Sequence, residues 1–260
     1  MQKKSILLIG NYPPPYGGVP RHIEYLAPHL VKEGWDVHIL SGGDSGIEFC
    51  QGYTIYKDNR RQFEKFIDLV LFIVKIVGKP LIFAQLLRVL PFTALRNYIH
   101  KIVLGMQIVE KYDISIISAY NIYTGGPVGL FLSQVKQKPL VLTNFGEFFD
   151  QQEFFRTYPK LVPFICKVSD RLVSMTRHCA RSYQLVGASP KVDVISIGID
   201  VAAFAPENDG LIIRKQLGIR ETEPVILFVG RMVRDMGLHT VLAAVPQFLE
   251  AKPELKIVIV

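Results

Sequence analysis

The residues best placed to do chemistry stand at the start of the chain. An apolar run over 6–10 enters a proline-stiffened loop, Asn11-Tyr-Pro-Pro-Pro-Tyr16, and leaves it through Gly17-Gly18 into a helical pattern. A strand, a loop and a helix start follow one another. Such a junction gathers free backbone N–H groups and about half a positive charge from the helix dipole at one point, which suits a phosphate or another anion. Other chemistries are poorly represented. Gly43-Asp-Ser-Gly46 matches the short string around a trypsin-like nucleophile but has no partnering histidine motif, so it reads as a turn. Neither a G-x-G-x-x-G fingerprint nor a Walker loop occurs, which weakens dehydrogenase and nucleotidase readings. The six histidines lack metal spacing such as H-E-x-x-H, so no metal site is expected. His22, His29 and His178 read as surface helix positions, and His22, at the end of its helix nearest the strand ends, merits a test. Cys50, Cys166 and Cys179 are widely spaced and odd in number, so they read as reduced thiols of a cytosolic protein.

The elements that position the junction follow from apolar periodicity. Ile23, Leu26, Ala27, Leu30 and Val31 recur on one helical face, with Pro28 inside the pattern at a cost of about 3 kcal/mol or a kink. Strands are then expected at 35–40, 114–118, 139–143, 171–175 and 192–195. Helices are expected at 126–137, 151–168 and 177–186. This alternation means α/β, a parallel sheet covered on both faces, with ligands at the carboxyl ends of the strands. The loops 11–18, 41–46, 119–126 and 144–147 are placed at those ends. The pattern weakens over 206–223, which reads as a linker between a domain at 1–205 and a second αβ repeat at 224–260. With 260 residues and 49% hydrophobic composition, two domains are expected. Two strands and one helix cannot cover both faces of a parallel sheet, so the second is expected to be incomplete. The opening residues read as a first strand, because their apolar stretch is shorter than the roughly 7–15 residues of an export signal.

The formal net charge of +7 is concentrated in one segment. Residues 57–111 hold ten Lys or Arg against four Asp or Glu, in an apolar setting. Within 69–87, two lysines at about 2.5–3.5 kcal/mol each at a bilayer centre, with Gly78 and Pro80, oppose a spanning helix. Two readings of this insertion stand side by side. One is a helical surface resting on an anionic membrane, and the other is a buried helical hairpin with its lysines in water. A nucleic-acid partner is not expected, since no aromatic or glycine pattern for stacking bases accompanies the charge.

Several blocks occur in one order across nearly the whole chain. They are Tyr16-Gly-Gly-Val-Pro-Arg-His22 with Leu26-Ala-x-x-Leu30, Gly34-Trp-Asp-Val-His-Ile-Leu40, Ser169-Asp-Arg-Leu-Val173, Ile197-Gly-Ile-Asp200 with Phe204-x-Pro206, and Val225-Ile-Leu-Phe-Val-Gly-Arg231 leading to Gly237-Leu238. Together they resemble glycosyltransferase family 4, retaining nucleotide-sugar enzymes of the GT-B architecture. The resemblance implies a GT-B-like pair of Rossmann-like domains, the first binding the acceptor and the second the donor. It implies a nucleotide diphosphate-sugar as substrate, a glycan or lipid-linked acceptor, and no cofactor or metal. With the thiols and the basic apolar insertion, the expected place is cytoplasmic, and peripheral at the inner face of the membrane where 57–111 rests on it.

By the same resemblance, Gly17, Gly18 and Arg231 would approach the donor diphosphate, and Tyr16, Arg21, His22, Gly146 and Glu147 are candidate acceptor contacts. The plainer alternatives are a turn needing positive φ at Gly17-Gly18, an exposed strand-end charge at Arg231, and for Glu147 a carboxylate near a helix start. Three departures stand out. Met236 occupies the place of a lysine, with Arg234 as the candidate compensating cation; Phe145 occupies that of a histidine; and Ser196-Ile197 precede Gly198 where Pro-Asn is common. The glutamates that hold the donor sugar in relatives would lie beyond Val260. The rival reading is therefore a non-catalytic relative acting as a binding or assembly partner.

Overall fold

The computed structural model describes residues 4–43, 46–58, 70–73 and 78–260. Contacts divide the chain into two units, Met1–Gly198 and Ile199–Val260.

The first unit is built on one sheet. Its strands are β1 (Ser5–Ile9), β2 (Asp36–Gly42), β3 (Gly46–Cys50), β4 (Tyr53–Asp58), β5 (Ile116–Tyr120), β6 (Leu140–Asn144), β7 (Arg171–Ser174) and β8 (Asp193–Val194). They lie in the order β3-β4-β2-β1-β5-β6-β7-β8. Every pairing is parallel except β3 with β4. All five residues of β1 are buried, as befits a central strand covered on both faces. Its side chains alternate between two cores: Ile6 and Leu8 join Ile23, Ala27, Val37 and Ile39 on one face, while Leu7 and Ile9 join the larger core on the other. In register, Ile6 pairs with Val37 on one side and with Ile116 on the other.

Helix α1 (Gly18–Lys32) covers the first face through the expected stripe, with Ile23 and Ala27 buried. It continues through Pro28, since burial of the apolar stripe outweighs one lost backbone hydrogen bond. The second face is covered by α2 (Pro80–Val89), α3 (Phe92–Leu95), α4 (Ile99–Lys111) and α5 (Gly126–Lys136). The basic insertion expected over 57–111 therefore contains a core element. Ile99, Ile102, Val103, Met106, Ile108 and Val109 of α4 are all buried, making α4 a crossover helix between β4 and β5. Residues 59–69 and 74–77 of that insertion lie outside the described residues.

Two short helices, α7 (Gln152–Thr157) and α8 (Leu161–Val168), replace the single helix expected over 151–168, and a further one, α6 (Glu147–Asp150), precedes them. The stretch 177–186 divides into α9 (Arg177–Arg181) and a 3-10 turn, Ser182–Val186. The β3–β4 hairpin was not foreseen in the sequence, where 41–46 reads as a loop. The hairpin places β4 beside β2, pairing Val37 with Tyr53.

The second unit contains α10 (Leu211–Gln216), β9 (Val225–Phe228), α11 (Leu238–Ala251) and β10 (Lys256–Ile259), with β9 and β10 parallel. No residue of α11 is buried. Leu227, Leu242 and Phe248 are all exposed.

Candidate functional site

Because β1, β2, β5 and β6 are parallel, their carboxyl ends and following loops gather along one edge of the sheet. The loop after β1 is tied down by Tyr12. Its N–H donates to Ser41 Oγ at 2.8 Å, and its hydroxyl lies 2.8 Å from that of Tyr53. Gly10 starts this loop, and a Cβ there would stand 2.6 Å from Ile23 Cδ1, so α1 packs closely over the strand end.

At the helix start, Gly17 has φ 171° and ψ 179° and its carbonyl accepts from Arg21 N–H at 3.0 Å. This is extended backbone open to any residue, and Gly18 is not among the positive-φ glycines. The turn needing positive φ, the plainer alternative at Gly17-Gly18, is therefore ruled out. A Cβ at Gly18 would meet nothing within 4 Å, and one at Gly17 only Pro20 Cδ at 3.7 Å. No side chain caps the helix, and Pro20 in its first turn has no N–H. The free donors of α1 are thus those of Gly18 and Val19, at the positive end of the dipole.

Tyr16 and Arg21 are brought together, the guanidinium 4.6 Å from the ring centroid, with Arg21 also bridging Glu24 at 2.6 Å. His22 lies deeper. Its ring contacts Tyr120 at 5.3 Å and Phe145 at 5.7 Å, joining the end of β5 and the loop after β6 to α1. Burial lowers its pKa below the ordinary histidine value, which favours the neutral imidazole.

Glu147 is placed otherwise than expected. Its side chain is 5% exposed. One carboxylate oxygen accepts from the Ile122 N–H and the other from the Phe145 N–H, the latter at 2.7 Å. A carboxylate so enclosed cannot meet an acceptor hydroxyl, and the expectation of a direct contact is corrected to a tie between two loops. Burial raises its pKa, against the pull of the backbone donors. Gly146, at φ 99°, has a conformational reason to be glycine, since that left-handed backbone at the turn from β6 into α6 strains any other residue.

Asn144, absent from the sequence-based set, completes the junction. Its Oδ1 accepts from Gly146 N–H at 2.6 Å and its Nδ2 donates to Cys179 O at 3.0 Å. Its only sequence signal was a polar residue ending an apolar strand. Lys101 was also missed: a Cβ at Gly42 would stand 3.3 Å from both Lys101 Nζ and Asn11 Oδ1, so an amine and an amide oxygen both lie close to the end of β2.

In the second unit, Arg231 follows β9, and Arg234 opens a 3-10 turn, Arg234–Met236, before α11. Both arginines are exposed, and among the described residues neither has an acidic partner. Met236 is 44% exposed. Gly237, at φ 77°, caps α11.

A cavity of about 510 Å³ lies elsewhere, at the amino ends of β7 and β8. Its acids are engaged, Asp170 by the Leu140 N–H at 2.9 Å and Asp193 by Arg171 at 3.7 Å. Among the described residues, no group of three or more His, Cys, Asp or Glu is placed to hold a metal ion.

Residues 16–203 match the family described as Glycosyltransferase Family 4. The chain belongs to glycosyltransferase family 4. Residues 211–260 match a second description, Glycosyl transferases group 1. Among curated relatives, a D-inositol 3-phosphate glycosyltransferase of Segniliparus rotundus is 35% identical over 94 residues, which is 35% of this chain and 21% of that protein. An uncharacterized glycosyltransferase of Methanocaldococcus jannaschii is 23% identical over 263 residues, covering 95% of this chain and 60% of that protein. Two solved structures share the fold. One is HepE of Anabaena in complex with UDP-glucose, at TM-score 0.62 and 15% identity over 98% of this chain and 60% of that one. The other, from E. coli, is described as trehalose-6-phosphate bound with UDP-2-fluoro glucose, at TM-score 0.60 and 14% identity over 98% and 64%. The chain therefore spans about three fifths of the length of these solved family-fold structures.

Proposed function

We propose that residues 1–205 form the acceptor-side domain of a glycosyltransferase, that 206–223 link it to the donor side, and that 224–260 open the donor-side domain. The reaction moves a hexose from a nucleotide diphosphate-sugar to a glycan or lipid-linked acceptor, with retention of anomeric configuration. The observation that carries this reading is the bare backbone at Gly17 and Gly18, where neither backbone angle nor packing demands glycine. Close approach of a bulky anion to the N–H groups of Gly18 and Val19 supplies the missing reason.

Departure of a nucleotide diphosphate leaves negative charge on its oxygens while the sugar carbon becomes oxocarbenium-like, and stabilising that charge is the main catalytic task. The α1 dipole and its free N–H groups meet part of it. Arg231 pairs with the phosphates in bidentate fashion, and Arg234 takes the role that Met236 cannot fill. His22, as a neutral imidazole, has one donor and one acceptor for a hydroxyl, and Tyr16 with Arg21 presents a ring and a cation beside it. Charges and backbone dipoles do this work without a metal. Family membership supports the reading, as do the uridine nucleotides in solved structures of the same fold.

The test is Gly18→Ala. Alanine raises helix propensity by up to about 1 kcal/mol, so thermal stability should hold or rise, while the added methyl obstructs a phosphate. Calorimetric titration with UDP-glucose and GDP-mannose should show affinity weakened at least about tenfold, equivalent to about 1.4 kcal/mol. Unchanged affinity in the variant would sink the proposal.

A further inference from the structure

The cavity of about 510 Å³ lies at the amino ends of β7 and β8, whereas the α1 junction stands at the carboxyl ends of the strands. Three cations reach its wall from three parts of the fold. Lys167 comes from the last turn of α8, Arg171 from the start of β7, and Lys191 from the loop that leads into β8. Lys167 also offsets the carbonyl end of its own helix; Arg171 and Lys191 lie on no helix, so that reason does not extend to them. Among the described residues, Lys167 and Lys191 have no acidic partner.

The two acids on the wall are occupied. Asp170 accepts from the Leu140 N–H at 2.9 Å. Asp193 stands 3.7 Å from Arg171 Nη1, beyond hydrogen-bond distance, and a guanidinium has five N–H donors, so Arg171 keeps donors for a ligand. Burial pushes the Cys166 thiol up to about 11, so it adds no negative charge at neutral pH. Ser169, on the same wall, has a buried hydroxyl with no hydrogen-bond partner, a costly state that a bound acceptor oxygen would relieve. Two ammonium groups, a guanidinium and a hydroxyl offer more donors than one carboxylate can use. A phosphate monoester, with three acceptor oxygens and nearly two negative charges, matches them. The volume falls within the range of about 300–1,000 Å³ usual for small-molecule sites, which leaves room beside the phosphate for the rest of a molecule.

We propose that this cavity binds a soluble phosphate monoester of sugar-phosphate size, its phosphate held by Lys167, Arg171, Lys191 and the Ser169 hydroxyl. The inference does not rest on the transfer reading. Gly18→Ala, which tests that reading at the carboxyl ends of the strands, should leave this site unchanged.

The experiment is calorimetric titration of the chain with glucose 6-phosphate, inorganic phosphate and glucose. Saturable binding is expected for glucose 6-phosphate, at about 1 mM or tighter, with weaker binding of inorganic phosphate and none of glucose. Lys167→Gln and Lys191→Gln should each weaken it about tenfold. Both side chains are exposed, so the melting temperature should stay at the parent value. Ser169→Ala should weaken binding while the melting temperature holds or rises, since its hydroxyl has no partner to lose. No saturable binding of glucose 6-phosphate, equal binding of glucose, or affinity unchanged in both lysine variants overturns the proposal. Binding lost in Gly18→Ala instead would put the phosphate at the α1 junction, and overturns it as well. Inorganic phosphate binding as tightly as glucose 6-phosphate overturns the sugar-phosphate assignment.

Discussion

Glu147 shows how much a single buried side chain can organise. Its two carboxylate oxygens hold the Ile122 and Phe145 amides, and so fix the spacing of the loops on which Tyr120 and Phe145 flank His22. Substitution by Gln turns an NH2 group toward one of those N–H donors and should cost about 1–3 kcal/mol at neutral pH, measured by urea denaturation. The pH dependence has a definite sign. Burial raises the Glu147 pKa, so the folded chain takes up this proton more readily than the unfolded chain. Its contribution is fully present below the unfolded pKa and is lost as pH rises through the folded one. The margin of the parent over Glu147→Gln should therefore narrow from acid to neutral pH. A margin that widened instead would mean that the amide donors outweigh burial. The sequence offered Glu147 as an acceptor contact or a helix-start carboxylate, and it does open α6, but its tie between two loops was not legible there. Its partner at Ile122 is 25 residues away and reaches it only because β5 and β6 are neighbours.

At the scale of elements, the junction at the end of β1 depends on close packing of turns. The π-helical turn Asn121–Gly125 joins β5 to α5. A Cβ on Gly125 would stand 2.5 Å from the Tyr120 carbonyl oxygen and 2.7 Å from that of Ile9. Both are backbone atoms that cannot swing away, so Gly125→Ala should destabilise the fold by about 3 kcal/mol, the upper range for overpacking. Thermal or urea unfolding checks this, and a change under about 0.5 kcal/mol, the size of an ordinary surface substitution, would show that the turn can relax. The stripe on α1 was readable from spacing, because 3.6-residue periodicity is a local property. The β3–β4 hairpin was not, because Gly46–Cys50 is a short exposed edge strand with no buried face. Its partner strand and the Lys57–Glu48 pair at 2.6 Å identify it only in three dimensions.

Across the whole molecule, the two units differ in how much they bury. The first has two apolar cores, one on each face of its sheet. In the second, Leu227 is 60% exposed and α11 has no buried residue. Local opening should therefore be far easier there. Amide hydrogen exchange followed by mass spectrometry should find β1, β5 and β6 strongly protected, with β9 and β10 exchanging by orders of magnitude faster; equal protection would contradict the difference in burial. The family blocks, the α/β alternation and the glycine-bearing helix start were all determined by the sequence, because each rests on local spacing and backbone chemistry. Tertiary structure decided the rest. It made α4 a core helix, enclosed Glu147 between two loops, set His22 against Tyr120 and Phe145, and brought Lys167, Arg171 and Lys191 to one cavity. Each outcome depends on which distant strands become neighbours, and hence on which face of each helix is withdrawn from water.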